Sequence, residues 1–194
     1  MIRSLLLSGS LLAASILSAA QAVPLPSSPP TWDLFAGGTL QRGVASTSTP
    51  NYYGWDTSVT ERPYQSHPWI GGTVEASGSY RNSASTVSET SVTTDDGVYT
   101  VMGGPSVTFR LHRAQPFARV LFGGLFDRTS ISVSSQNAST VVSKHFGTAF
   151  GGGVDFPVTQ KFAIRGQADW LRDWASNLEA SNSIRASAGV VFRF

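Results

Sequence analysis

Apolar and polar residues alternate along the chain with a period of two. The alternation recurs in successive segments of about ten residues each. In IGGTVEASGSY, residues 70–80, the even-numbered positions are apolar, aromatic or glycine, whereas the odd-numbered positions from Thr73 onward are polar. Successive side chains of a β-strand point to opposite faces, so the pattern favours strands over helices. Eight segments carry it, the first two more weakly than the others: 32–41, 53–61, 70–80, 99–109, 117–126, 148–156, 162–171 and 184–194.

The connections between these segments alternate between long and short. About ten residues of tilted strand cross a bilayer, and transmembrane barrels have long loops on one side and short turns on the other. The sequence therefore predicts an all-β fold, an eight-stranded antiparallel up-and-down transmembrane β-barrel with both termini on the short-turn side. The long connections are 42–52, 81–97, 127–146 and 172–182, and the short ones are 62–68, 111–116 and 157–161.

The first residues have the composition of a secretory signal peptide. Arg3 precedes an apolar run rich in Leu, Ala, Ile and Ser, and the motif AQA at 20–22 fits a small-x-small cleavage site. An N-terminal membrane anchor is the alternative, but the run is short and interrupted by serines. The predicted domains are a signal peptide at 1–22, a Pro-rich leader at 23–31 and a barrel domain at 32–194.

The composition excludes several classes of protein. Without cysteine the chain has no disulfide, no thiolate nucleophile and no cysteine-based metal site. A formal net charge of +2 at pH 7 gives no support to nucleic-acid binding. The sequence contains no P-loop, no dinucleotide-binding fingerprint and no HExxH motif, so we predict no cofactor and no metal site.

In the last six predicted strands no charged residue falls on the apolar face, and the polar face carries the charges. An Arg or Lys that faces lipid near the midplane costs about 2–4 kcal/mol, so we expect these charges to face the lumen. The interior of an eight-stranded barrel is just wide enough for side chains to fill it, and charges there must pair. A static polar core is the favoured interpretation and an ion gate is the alternative. The predicted lumen charges are Asp33, Asp56, Glu75, Arg110, Arg119, Asp155, Arg165, Asp169, Arg185 and Arg193.

Folding neighbouring strands onto each other predicts partners for three of the carboxylates. The pairs are Asp169 near Arg185, Asp155 diagonal to Arg165, and Asp33 near Arg193 where the first strand closes on the last.

Aromatic residues concentrate at the ends of the predicted strands. A soluble sandwich would place them in mid-strand, where this chain has mainly Gly, Ala and Val. We therefore predict an aromatic girdle at each membrane interface. Phe35 is an exception, because it breaks the alternation of the first strand. The predicted girdle residues are Trp32, Trp55, Trp69, Tyr80, Tyr99 and Trp170.

The closing octapeptide SAGVVFRF combines a polar residue, a glycine and two aromatics at fixed distances from the last residue. Together with the segments GPSVTF, PFARVLFGG and FGGGVDFPVTQKFAIR, it resembles the OmpA-like transmembrane barrels of Gram-negative bacteria, in the short form without a periplasmic domain. The resemblance implies that the octapeptide acts as an assembly signal, which here consists of Ser187, Gly189, Phe192 and Phe194.

The same resemblance implies a place in the bacterial outer membrane. After export by the cleaved signal peptide, both termini would be periplasmic. The expected partners are outer-membrane lipid, lipopolysaccharide and, during insertion, the barrel assembly machinery, with no nucleic acid. The barrel is expected to be a monomer.

Three histidines are the candidates for catalysis. His67 and His112 fall in short turns, whereas His145 ends a long connection beside Ser143. Some eight-stranded outer-membrane barrels are lipid A-modifying enzymes with a Ser and a His near the outer rim. Serine is so common in these connections that a Ser beside a His is expected by chance, so we predict that the protein is not an enzyme.

The predicted function is that of an integral outer-membrane barrel with a structural, envelope-integrity or surface-interaction role. A narrow channel for ions or small solutes is the main alternative. A lipid A-modifying enzyme and a secreted soluble β-protein are the others.

Overall fold

A single closed antiparallel sheet makes up the computed structural model of the chain, which describes residues 31–44, 51–63, 66–87, 90–111, 113–133, 136–174 and 181–194. The strands are β1 (Trp32–Gly43), β2 (Asn51–Glu61), β3 (Ile70–Val87), β4 (Thr90–Thr108), β5 (Gln115–Val133), β6 (Gln136–Pro157), β7 (Phe162–Trp174) and β8 (Ser181–Arg193). Each strand pairs with its neighbours in sequence, and β1 pairs with β8. The predicted all-β, eight-stranded up-and-down barrel is confirmed.

Three predictions fall outside the described residues. They are the signal peptide at 1–22, the leader as far as residue 30, and His112. Among the residues that are described, no helix has the length and apolarity that crossing a membrane requires.

The alternation of residue types becomes an alternation of exposure. Along β7, Phe162 and Ile164 are exposed, whereas Ala163 and Arg165 between them are buried. The outer surface is therefore apolar in the middle of the barrel, and the polar residues of the same strands line the lumen. This is the distribution expected when lipid surrounds the barrel.

Strands β3 to β6 are longer than predicted, and the prediction of long polar connections at 81–97 and 127–146 is wrong. Pairing continues out to Val87 opposite Thr90 and, after a register shift, to Val133 opposite Gln136. Strands β4 and β5 also remain paired as far as Val92 opposite Val133. Residues 81–87, 90–98, 127–133 and 136–145 thus form a four-stranded sheet, here called the outer wall, which continues about 20 Å past Tyr80 at the usual rise per residue.

The strands of the outer wall were not predicted because their sequence lacks the alternation of apolar and polar residues. Alternation arises where one face of a sheet meets lipid or a core and the other meets polar surroundings. Past the segments that alternate, residues of both parities are rich in Ser and Thr, so these segments resemble loops in composition. The β-propensity of Thr and Val nevertheless suits the paired strands that form.

The barrel closes where β8 approaches β1. The backbone N–H of Trp32 donates to the carbonyl oxygen of Phe194 at 2.9 Å, and the N–H of Phe194 donates to the oxygen of Trp32 at 3.1 Å. Further along this seam, Gly189 lies opposite Gly37. A Cβ atom on Gly189 would collide with the carbonyl oxygen of Ala36, so the close approach of the two strands requires glycine at this position.

Replacing Gly189 with Ala should therefore destabilise the barrel. We expect the Gly189→Ala variant, refolded in detergent, to lose about 1–3 kcal/mol of unfolding free energy in urea, because the added methyl group forces the seam apart. The matched control is Gly166→Ala on β7, where a Cβ would meet nothing within 4 Å and the change should stay within about 0.5 kcal/mol. Equal stability of the two variants would show that the close approach of β1 and β8 does not require glycine at position 189.

Candidate functional site

Four charged side chains cross the middle of the lumen. They are Glu75 on β3, Arg119 on β5, Asp169 on β7 and Arg185 on β8, and all four are buried. Because they come from strands distributed around the barrel, they meet near its axis. Two acids and two bases make the group electrically balanced. We call these four residues the central network.

The central network is held by short ion pairs. Nη2 of Arg119 lies 2.6 Å from Oε2 of Glu75 and 2.7 Å from Oδ2 of Asp169. Arg185 contacts the same two carboxylates, with Nη2 at 3.2 Å from Oδ2 of Asp169 and also bonded to Oε1 of Glu75. Each arginine thus bridges both acids. The predicted Asp169–Arg185 pair exists in the structure, but as one side of a four-membered group.

A second set of charges lies nearer the short turns and forms a chain of alternating sign. Asp155 accepts two bonds from Arg165, at 2.7 and 3.0 Å, and one from Arg193 at 2.7 Å. Arg193 also lies 3.7 Å from Asp33, whose other oxygen accepts a 2.7 Å bond from Arg62. Asp155 lies directly opposite Arg165 rather than diagonal to it as predicted.

The predicted lumen charges Asp56 and Arg110 occupy different settings. Buried Asp56 is held by neutral donors, since Gln167 Nε2 and Ser187 Oγ each donate to its Oδ2 at 2.8 Å. Arg110 follows the end of β4 and is half-buried near the charges of Arg62 and Asp33. Burial, assisted by repulsion from Arg62, lowers the pKa of Arg110 to about 10, so it stays protonated at neutral pH.

Sequence reasoning missed Arg62 and the aromatic residues of the lumen. Arg62 was assigned to a short connection, although it continues the inward parity of Asp56 on β2 and is only 5% exposed. Phe35 breaks the alternation because it points inward. The Arg165 guanidinium lies 5.3 Å from the ring centre of Phe35 and 4.4 Å from that of Phe117, a cation–π arrangement that buries the charge between two rings.

An apolar layer lines the β4–β7 side of the lumen, on the long-connection side of the central network. It consists of inward residues from four adjacent strands, β4 to β7. Below this layer, a polar cavity beside Arg119 and Arg165 has a volume of only about 10 Å³, hardly enough for one water molecule. The described lumen is therefore a packed interior at these two levels. The residues of the apolar layer are Met102, Leu121, Leu125, Ala149 and Leu171.

Beyond the apolar layer, at the end of the lumen that faces the outer wall, lie Asp127, His145 and Asp173. We call this end the outer mouth. His145 Nε2 is 3.6 Å from Oδ2 of Asp127, and one ligand atom from each of the three residues lies within 4.8 Å of the others. Burial raises the pKa of Asp127, and repulsion from Asp173 acts in the same direction, whereas His145 opposes both. All three residues lie just past the predicted membrane spans.

Ser143, the predicted neighbour of His145, lies two residues before it on β6 instead of in a loop. Among the described residues no hydrogen bond joins Ser143 to His145, and the imidazole faces two carboxylates. The other described histidine, His67, is far away in a short turn, where its Nδ1 contacts Ser66 Oγ at 3.0 Å. Ser143 and His145 therefore do not form a nucleophile–base pair, and the Ser66–His67 contact joins two exposed neighbours in a turn.

The predicted girdle residues lie on the outer surface. Trp55 Nε1 donates to the Tyr80 hydroxyl at 3.1 Å, and the rings of Tyr80 and Tyr99 meet edge to face at 5.6 Å, all near the outer mouth. Trp170 lies beside Phe150, with ring centres 6.1 Å apart. Trp32 and Trp69 lie at the short-turn end and are exposed.

The residues of the predicted assembly signal take different positions. Ser187 faces inward and donates to Asp56, and Gly189 lies at the seam. Phe192 and Phe194 face outward with ring centres 5.6 Å apart, and Phe162 of β7 lies 5.1 Å from Phe192. The last strand therefore ends in an aromatic trio on the outer surface of the barrel.

Removing one member of the central network should leave buried carboxylates uncompensated. We expect Arg185→Leu to lose about 3–5 kcal/mol of unfolding free energy in urea. Arg128→Leu, which removes an exposed arginine of β5, is the matched control and should change stability by no more than about 0.5 kcal/mol. If both variants unfold at the wild-type urea concentration, the network does not stabilise the barrel.

Comparison with known proteins identifies the fold. No protein-family model matches the sequence, and no curated protein matches it. The solved structures that match include Ail of Yersinia pestis in complex with the heparin analogue sucrose octasulfate, at 16% identity and a TM-score of 0.62, covering 85% of this chain and 99% of that one. Neisserial surface protein A has 16% identity and a TM-score of 0.62, covering 84% of this chain and 97% of that one.

A further match is the outer membrane protein OprG of Pseudomonas aeruginosa, with 9% identity and a TM-score of 0.52, covering 88% of this chain and 99% of that one. At these identities the likeness concerns the fold and not the activity. The chain has the fold of the small bacterial outer-membrane β-barrels.

Proposed function

We propose that the chain is a non-conducting integral barrel of the bacterial outer membrane, which supports the envelope and presents the outer wall at the cell surface. The observation that carries this proposal is an apolar outer band, bordered by aromatic residues, around a lumen filled with paired charges and apolar side chains. An apolar exterior suits lipid, and a filled interior suits a structural element. Outer-membrane lipid and lipopolysaccharide are the proposed surroundings.

The filled lumen argues against the channel alternative. An ion crossing the barrel would have to pass the central network, in which each arginine bridges both acids. Displacing Arg185, which bridges two carboxylates, would leave charges unpaired in a region with little room for water. The static polar core is therefore favoured over an ion gate.

The outer wall is the proposed surface for interaction. Val141 and Val142 are 60% and 59% exposed there. Because adjacent residues of a strand face opposite sides, both faces of the wall are accessible at this point. Arg81 and Arg128 lie at the base of the wall close to Asp96, so the described part of the wall presents charges of both signs. Ail is seen with a polyanion, but this mixture of charges favours a partner that is not a polyanion.

We further propose that the barrel is a monomer, inserted by the barrel assembly machinery with both termini in the periplasm. The geometry of the last strand supports recognition of the C-terminus, because Phe194 lies in an exposed aromatic trio at the membrane surface. The absence of a bond between Ser143 and His145 among the described residues favours a function without serine-based hydrolysis.

Electrical recording tests the non-conducting proposal. The purified barrel, refolded and inserted in planar bilayers, should give no stable single-channel steps, because the two filled levels leave no continuous water path. Insertion should be verified by heat-modifiable gel migration of the same preparation. Stable steps whose size changes in the Arg185→Leu variant would show that the lumen conducts and would reject the proposal.

A second experiment tests outer-membrane assembly. We expect Phe194→Ala to reduce the amount of folded barrel in the outer-membrane fraction several-fold, because it removes the terminal aromatic that the assembly machinery would recognise. Phe162→Ala removes a ring from the same aromatic trio without altering the C-terminus, and its barrel level should remain close to wild type. Equal losses would mean that packing of the trio matters and recognition does not. Wild-type protein outside the outer-membrane fraction would refute the location.

A further inference from the structure

Three side chains that commonly bind metals converge at the outer mouth. Asp127, His145 and Asp173 come from the adjacent strands β5, β6 and β7, and all three point into the lumen with the same parity as Arg119, Asp155 and Asp169. All three are half-buried, so they are neither freely solvated nor sealed from the outside. Neither the central network nor the proposed surface role uses them.

The strand register explains why these side chains meet. Asp127 lies opposite Ser143, two residues from His145, and Asp173 lies opposite Gly147, two residues beyond His145. His145 is therefore the diagonal neighbour of both carboxylates. Gly147 contributes no side chain between His145 and Asp173, and a Cβ atom there would collide with Leu125.

The cluster also contains a buried oxygen atom without a partner. Oδ1 of Asp173 is buried and accepts no hydrogen bond among the described residues. Within the same part of the chain, His145 is the one basic side chain in ion-pair contact with Asp127, and no Lys or Arg pairs with Asp173. Two neighbouring carboxylates, one with an unsatisfied buried oxygen, repel each other unless a cation lies between them.

We propose that Asp127, His145 and Asp173 form a binding site for a divalent transition-metal cation of the Zn²⁺ type. The mixture of one imidazole nitrogen with carboxylate oxygens suits Zn²⁺ and its neighbours in the first transition series, whereas Ca²⁺ and Mg²⁺ prefer oxygen ligands alone. With bonds of about 2.1 Å, ligand atoms around Zn²⁺ are about 3.4 Å apart. The three ligand atoms, now within 4.8 Å of one another, would have to close by up to about 1.4 Å, which half-buried side chains can do by rotation.

The surroundings define how the cation would enter. The apolar layer, with Leu125 and Leu171, lies directly below the site and provides no polar ligand. The cation would therefore arrive from the outer wall and remain at the outer mouth. Three protein ligands leave at least one position for water.

Titration with zinc chloride tests the site directly. The refolded barrel, without an affinity tag, should bind one Zn²⁺ by isothermal titration calorimetry. His145→Gln and Asp173→Asn should each weaken binding by about tenfold or more, because each removes a ligand. His67→Gln, which removes an exposed histidine at the opposite end of the barrel, is the matched control and should bind as the wild type does.

Two further measurements keep the result decisive. Heat-modifiable migration must show that each variant is folded, and Co²⁺ in place of Zn²⁺ should give a visible absorption band that disappears in His145→Gln. No binding by the wild type would overturn the proposal, and so would unchanged affinity in folded His145→Gln and Asp173→Asn. If Ca²⁺ bound as tightly as Zn²⁺, the proposal would also be overturned. Ca²⁺ prefers oxygen ligands alone, so equal affinity would mean that the imidazole does not contribute to binding.

Discussion

The narrow lumen of an eight-stranded barrel is the constraint on which the rest of this structure depends. Strand number fixes the internal width, so every inward side chain must fit against those of the opposite wall. A charge in this space has little water to solvate it and needs a partner of opposite sign or, as at Asp56, hydrogen bonds from neutral donors. Glu75, Arg119, Asp169 and Arg185 meet both requirements, because they reach across the lumen and balance each other.

The charge pairs between adjacent strands were predictable, and the contacts across the lumen were not. Hairpin register places Asp169 opposite Arg185 from local sequence alone. The contact between Arg185 and Glu75 joins residues more than a hundred positions apart, and no pattern along the chain relates their heights in the barrel. Exchanging Asp169 and Arg185 would consequently disturb four residues, because each also contacts a further member of the network.

The sequence pattern carries information only where the two faces of a strand meet different surroundings. Across the apolar outer band this difference exists, and alternation there located the eight strands and separated outward-facing residues from lumen-facing ones. In the outer wall the alternation is absent, so the strands past Tyr80 and Phe126 resembled loops. The cluster at the outer mouth was missed for the same reason. Once β5, β6 and β7 are continued past the apolar band, Asp127, His145 and Asp173 keep the inward parity that Arg119 and Asp169 establish.

The apolar layer explains why the charges of the lumen must be balanced separately on each side of it. Leu121, Leu125 and Leu171 separate the outer mouth from the central network, so Asp127 and Asp173 are out of ion-pair reach of Arg119 and Arg185. Opposite charges at different levels therefore cannot compensate each other through contact. The levels below the layer achieve balance with arginines from the chain itself. The outer mouth has two carboxylates and one histidine, and the proposed divalent cation would supply the positive charge that no arginine or lysine of the described residues supplies there.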